Sequence, residues 1–509
     1  MADTMRIKDH NEIFHEERYA KTWEGKRAFE HRCDAAALEK TRAYIRGGEY
    51  KEKNFAREAL TINPAKACQP LGALLASVGF KGCLPYVHGS QGCAAYFRSH
   101  FNRHFKEPFA SVSDSMTEDA AVFGGQKNMV EGLKNAYALY KPEMMAVCTT
   151  CMAEVIGDDL NAFIKNARKA GSVPDEFPIP FAHTPSFVGS HVTGYDNMMK
   201  GMLFHLSAGE PKADKDNGAI GIIPGFDGYT VGNIREIKRI LSMMGVDHII
   251  LGDNSGVLDS PMTGQYAMYY GGTTVEDVKR AKNAKAIIAL LPDSAEKTTG
   301  TFVKDEWNST FASGPTPLGI AGTDAFLLKV AEITGTDIPA ELEAERGRAL
   351  DAMADSNYYL HGKRFAIYGD PSYVEALVEF YMEMGAEPVH VVITNATKRV
   401  GKALTKKWAD KPFAKGVTVH NGADLWHLRS LMISDPVDFL VGGTHGKQLS
   451  TEMGIPLIRI GFPIFDRHHL HRYATFGYQG VINMLQWSVN TLLDDLDRKA
   501  MPFNNDFVR

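Results

Sequence analysis

Three of the six cysteines stand where the chain turns into or out of a regular element, a placement that suits thiolates meant for a metal. Cys68 lies in Asn63-Pro64-Ala65-Lys66-Ala67-Cys68-Gln69-Pro70, directly before the apolar, helix-like run Leu71 to Val78, where the positive end of a helix dipole favours a thiolate. Cys93 closes the small-residue turn His88-Gly89-Ser90-Gln91-Gly92-Cys93 and opens a helix striped by Phe97, Phe101 and Phe105. Cys151 follows the apolar run Met144 to Cys148 through Thr149-Thr150, at the carboxyl end of a predicted strand, where α/β sheets place their ligands. The competing reading makes all of them small buried core residues, the ordinary fate of an isolated cytosolic cysteine. Cys33 and Cys83 lack the turn context and read as structural, and Cys148 reads as strand core. Cys148 and Cys151 form a C-x-x-C, but no second pair completes a zinc site. Three thiolates fall short of the four that a cubane iron–sulfur cluster requires, so a partner chain must supply the rest.

A second set of candidates carries oxygen. Asp351 and Asp355 are four apart in a predicted helix over 339–356, so both carboxylates share a face, and with Glu107 they would suit a hard cation; a solvated acidic face is the plain alternative. His468-His469-x-His471, flanked by Asp466, Arg467 and Arg472, reads as a polar interface, and His100 and His104 as interface residues on one helix face. Gly442 to Lys447 looks like a phosphate loop but has Gln448 where a Ser or Thr should hold magnesium, so it reads as a strand-end turn. No G-x-G-x-x-G opens a helix after a strand, and ATP hydrolysis is expected on another protein.

The elements that must position these residues alternate apolar runs ending in Gly, Pro or Asp with segments of helical period, the pattern of parallel strands joined by crossover helices. The expected fold class is α/β: three Rossmann-like domains with parallel sheets and flanking helices, plus an N-terminal helical extension. At 509 residues, 44% hydrophobic and 23% charged, the chain is a multidomain globular protein. A formal net charge of −5 argues against broad capture of nucleic acid. No apolar run of about 20 residues points to a membrane span, and no secretory signal is visible, so the expected location is cytoplasmic. Residues 1–60 form a polar arm that wraps a partner subunit. Residues 61–215 form an α/β domain carrying the cysteines, 216–362 a second and 363–455 a third. Residues 456–509 form a strand and helices packing back on the first α/β domain. Strands are predicted at 219–223, 248–252, 285–291, 364–368, 389–393, 437–441 and 456–460.

Cys68-Gln69-Pro70, the Cys93 turn, Ser113-Asp114-Ser115-Met116-Thr117-Glu118 and Thr149-Thr150-Cys151-Met152-Ala153-Glu154-Val155-Ile156-Gly157-Asp158-Asp159 are together similar to the β chains of nitrogenase component 1. The resemblance covers essentially the whole chain. His183-Thr184-Pro185-Ser186-Phe187, Gly461 to His469 and the long arm add to it and point to the molybdenum form. The resemblance implies an α2β2 assembly with an [8Fe-7S] P-cluster shared by each αβ pair, in which Cys68, Cys93 and Cys151 supply the β-side thiolates, Cys93 matches the bridging position, and Ser186 ligates iron on oxidation. It implies an interfacial divalent cation, calcium or iron, held by Glu107, the carbonyl of Lys106, and Asp351 and Asp355 of the other β chain; Lys106 departs from the family's Arg. It further implies a docking surface at Phe123 for an ATP-hydrolysing iron protein, and an iron–molybdenum cofactor in the α subunit where dinitrogen is reduced; Phe123 before two glycines could equally anchor a helix start, and Tyr96 is placed on the electron route by its position beside Cys93. The rival readings are a cofactor-assembly scaffold chain, a vanadium or iron-only nitrogenase β chain, and an iron-free ligand-binding protein.

Overall fold

The computed structural model describes residues 65–500 apart from 262–269, 397 and 415, together with scattered positions between 16 and 52. Most of the expected arm, Cys33 included, lies outside the described residues. Two compact units divide the chain, residues 1–59 and 60–509.

Within the second unit, short runs of branched and small apolar residues build three all-parallel sheets, as expected for strands buried on both faces. The first has the order β2-β1-β3-β4, from β1 (Cys83–His88), β2 (Val112–Ser113), β3 (Met144–Thr149) and β4 (Phe181–Ala182). The second has the order β6-β5-β7-β8, from β5 (Ile220–Ile223), β6 (His248–Ile250), β7 (Ala286–Ala289) and β8 (Phe311–Ser313). In the third, β9 (Arg364–Gly369), β10 (Glu387–Ile393), β11 (Thr418–Asn421), β12 (Phe439–Val441) and β13 (Leu457–Ile458) take the order β11-β10-β9-β12-β13. The fold is α/β, with crossover helices between successive parallel strands. One continuous apolar core joins the second and third sheets and another joins the first and second. Among the described residues no helix is long and apolar enough to cross a membrane.

Every strand read from an apolar run is present. The others lacked a signal: β2, β4, β8 and β11 carry no run of branched apolar residues, and β1 contains Pro85, a residue that argues against a central strand. β2 pairs with β1 only at Tyr86 and Val87, so the proline lies beyond that ladder.

The C-terminal segment departs from expectation. β13 pairs with β12, so a boundary at 455 would cut the third sheet. The helix Gly477–Lys499 turns Val481, Met484 and Leu485 into the core shared with Leu342, Ala349 and Phe326, beside the second and third sheets and away from the first. Its apolar stripe at i, i+3, i+4 packs against the helix Ala340–Leu360. Among the described residues, Phe462 and His471 return to the first sheet's core, the latter with its ring 5.5 Å from that of Phe105.

Candidate metal centre

The carboxyl ends of three neighbouring strands bring the predicted residues together. β1 ends at His88 and passes through Gly89-Ser90 into the helix Gln91–Phe105, with Cys93 in its first turn. β3 ends at Thr149, and Cys151 is the first residue of the helix Cys151–Ile156. β4 leads into the loop 183–189 that holds Ser186. Cys68 caps the helix Gln69–Val78, all ten residues of which are buried. That helix packs on the helix His191–Leu206 so closely that a Cβ added at Gly194 would lie 1.8 Å from the Gln69 carbonyl oxygen.

The connecting turns are tied to one another. Thr150 donates its N–H to the His88 carbonyl (3.0 Å), and Gly89 has φ +148°, with its hydrogen facing Thr150; an added Cβ would lie 1.9 Å from Thr150 Oγ1. Only glycine fits there. The Thr149 and Thr184 N–H groups donate to each other's hydroxyls at 3.1 and 2.8 Å, which fixes the start of the Ser186 loop against the Cys151 turn. His191 brackets the residue before Cys68. Its backbone N–H donates to the Ala67 carbonyl (3.0 Å), its ring Nδ1 accepts from the Ala67 N–H (3.2 Å), and Nε2 meets Asp370 at 3.0 Å.

Under the Cys93 turn lies a buried charge cluster that the sequence reading did not single out. His88 bonds Asp114 through Nδ1 and Asp158 through Nε2 (2.9 Å); Asp114 also accepts from the Gly89 N–H (3.0 Å) and Asp158 from the Gly125 N–H (3.1 Å). Burial opposes protonation of His88, but the two carboxylates outweigh it and its pKa is raised. Asp114 and Asp158 both belong to motifs quoted above, yet only the fold shows that they meet at His88.

The thiols differ as their positions predict. Cys83 and Cys148 are sealed in strands, and burial pushes both far up. Cys68 and Cys93 are half-buried and Cys151 is exposed. Burial raises Cys68, a hydrogen bond from Ser186 opposes this, and the charges of Cys93 and Cys151 add to it. Burial and then Cys151 raise Cys93, against a hydrogen bond from Ser90. The three thiols and Ser186 therefore act on one another and open toward the surface. Tyr96, one turn beyond Cys93 and 52% exposed, is raised by burial and then by Cys68. Among the described residues no three His, Cys, Asp or Glu side chains converge on a single ion. A multi-iron core is wider than an ion, and a set of soft thiolates with one hydroxyl suits it.

The oxygen candidates are not brought together within one chain. Asp351 and Asp355 lie exposed, one turn apart, on the helix Ala340–Leu360. Glu107 pairs with Arg472 at 3.1 Å, and Arg472 also meets Asp259 at 3.0 Å. Lys106 ends its helix in the left-handed region (φ 59°), and its Nζ donates to the Phe465 carbonyl at 2.8 Å. Phe123 is 87% exposed and ends a helix, Glu118–Phe123, rather than anchoring the start of one. His100 and His104 are buried within this chain, which corrects their reading as interface residues. His104 bonds the Gly228 carbonyl (2.7 Å) and accepts from the Ile464 N–H (2.8 Å), joining the first sheet to the second and to the C-terminal segment; burial lowers its pKa to about 3.

Comparison with known proteins gives the class first. The profile of the nitrogenase component 1 type oxidoreductases matches residues 68–493, and the chain belongs to that family; a domain of unknown function matches residues 1–54. It is a subunit of a nitrogenase-type oxidoreductase. Within the family the likeness narrows to one subunit. The nitrogenase molybdenum-iron protein beta chain of Rippkaea orientalis is 57% identical over 495 residues, 97% of this chain and 96% of that one. The chain of the same name from Azotobacter vinelandii is 56% identical over 475 residues, 91% and 90% of the two chains. A solved structure of nitrogenase Cp1 at pH 6.5 superimposes with a TM-score of 0.85 at 39% identity, covering 89% of this chain and 98% of that one.

Proposed function

We propose that the chain is the β subunit of a molybdenum nitrogenase component 1, and that Cys68, Cys93 and Cys151 hold its half of an [8Fe-7S] cluster shared with an α subunit. When bound, that cluster supplies one-electron chemistry, relaying electrons from an ATP-hydrolysing iron protein toward an iron–molybdenum cofactor in the α subunit, the place of dinitrogen reduction. The observation that carries this reading is the contrast among the thiols: three from separate turns act on one another and reach the surface, while Cys83 and Cys148 of the same sheet are sealed. A group held from one side needs a partner to cover the other.

The chain's own residues then have distinct tasks. The three turns fix the positions from which the thiols of Cys68, Cys93 and Cys151 would hold the group, and Ser186 offers an oxygen beside Cys68. Exposed Phe123 offers an apolar contact for the iron protein, and Tyr96 lies on the electron route. Glu107 and the Lys106 carbonyl, with Asp351 and Asp355 of a second β chain, hold a divalent cation in the α2β2 assembly.

Anaerobic co-purification with the natural partners, followed by iron, sulfide and molybdenum analysis, tests the reading. Cys93→Ala should remove the shared cluster's iron, and Cys148→Ala should retain it at a stability cost of about 1 kcal/mol. A metal-free wild-type complex, or equal iron loss in both variants, would overturn the ligand assignment; vanadium in place of molybdenum would overturn the assigned form.

A further inference from the structure

The loop that carries Ser186 is thinly held. Phe187 and Val188 are 64% and 53% exposed, and among the described residues a single hydrogen bond fixes the backbone of 187–189: Gln69 Nε2 donates to the Val188 carbonyl at 2.9 Å. Gln69 is itself 2% exposed and directly follows Cys68. Its orientation is forced. Because Val188 offers only an acceptor, Oε1 must face the other way, where it accepts from Asn197 Nδ2 at 2.8 Å. Asn197 Oδ1 in turn accepts from Thr298 Oγ1 at 3.2 Å, and the Thr298 and Thr299 N–H groups are anchored on Asp196 at 2.9 and 2.8 Å. A chain of amides thus runs from the second sheet's turn at 298–299 through the helix His191–Leu206 to the Ser186 loop, and it passes through the residue beside Cys68.

We propose that Gln69 is a positioning residue that sets how Ser186 approaches the metal group held by Cys68, by tying the 186–189 loop to the helix turn that presents that cysteine. The inference rests on Cys68 and Ser186 being ligands of that group. Gln69→Leu removes both hydrogen bonds at similar length, and Gln69→Glu keeps the acceptor for Asn197 but loses the donor to Val188.

The experiment uses the holo complex with its α partner and reads three quantities: iron content, amide hydrogen exchange over 186–189, and the spectroscopically followed oxidation in which Ser186 takes part. Both variants should retain iron, speed exchange in the loop, and shift the oxidation equilibrium about fivefold, the net worth of one hydrogen bond. In a Ser186→Ala background, Gln69→Leu should shift that equilibrium no further. Full iron with unchanged exchange and oxidation in Gln69→Leu would overturn the proposal while leaving the ligand assignment standing, as would a shift of the same size in the Ser186→Ala background. A wild-type complex without the shared cluster would overturn the ligand assignment itself.

Discussion

Replacing His88 by Ala should loosen the Cys93 turn by a measurable amount. The imidazole lies between two carboxylates, with side-chain exposures of 0% for His88, 0% for Asp114 and 5% for Asp158. Without it Asp114 retains the Gly89 N–H and Asp158 the Gly125 N–H, and neither carboxylate keeps a side-chain partner with positive charge. Removing one member of a buried ion pair costs about 3–5 kcal/mol, because the remaining charge stays buried. At about 1.4 kcal/mol per tenfold, amide exchange over residues 86–93 of the complex should accelerate by about a hundredfold or more. The triple variant His88→Ala, Asp114→Asn, Asp158→Asn should recover more than half of that loss, since amides carry no charge to strand. The raised His88 pKa adds a sign: its stabilisation is complete below the unfolded value of about 6.5 and is lost as pH rises through the folded value. Exchange within threefold of wild type in the single variant would refute the charge argument. So would a triple variant no better than the single, which would shift the cause to packing against Phe163, whose ring lies 6.0 Å away.

Gly89→Ala should destabilise the complex by about 2 kcal/mol or more, through strained backbone and the clash with Thr150; an unchanged denaturation midpoint would count against the turn geometry. Asp227 is sealed from water and burial raises its pKa to about 6. Folding therefore favours its protonated form, and its contribution is fully present below the unfolded pKa and falls by about 3 kcal/mol as pH rises through 6. The stability of wild type relative to Asp227→Asn should decline over that window in denaturant titrations, and a flat difference would sink the assignment. Phe226→Ala should cost about 3–5 kcal/mol by opening a cavity beside His191 and Phe462, whose rings lie 4.4 and 5.0 Å away, with the iron content unchanged; a loss under about 1 kcal/mol would show that the site collapses or is already loose.

What was legible in the sequence follows from the range of the interactions involved. Strands such as Ile220–Ile223 and Arg364–Gly369 announce themselves because parallel strands are buried on both faces and read as apolar runs. The placement of Cys68, Cys93 and Cys151 at element ends was legible because turn residues mark those ends. His88 was not, since its partners Asp114 and Asp158 lie 26 and 70 positions away and nothing local distinguishes it from a solvated histidine. Gln69 was quoted only as part of a motif, for its partners Val188 and Asn197 are more than a hundred positions off. His100 and His104 were misread because helical spacing shows that they share a face, but not that Gly228 and Ile464 cover it.

The same parallel topology offers more than one place for a ligand, and the side chains decide between them. Carboxyl ends of strands also meet where the second and third sheets adjoin, at Phe226-Asp227-Gly228, Gly369-Asp370 and Ile460-Gly461-Phe462. That junction is lined with rings, Phe226, Phe462, Tyr368 and Tyr373, and encloses a cavity of about 20 Å³, room for one water and no cofactor. At the first sheet the corresponding ends carry small residues, Gly89, Ser90, Thr149 and Thr150, which leave the thiols beside them open to the surface. Aromatic residues fill one switch point and small residues clear the other. The rings thus close the junction between the second and third sheets, while the first sheet's edge stays open beside the thiols.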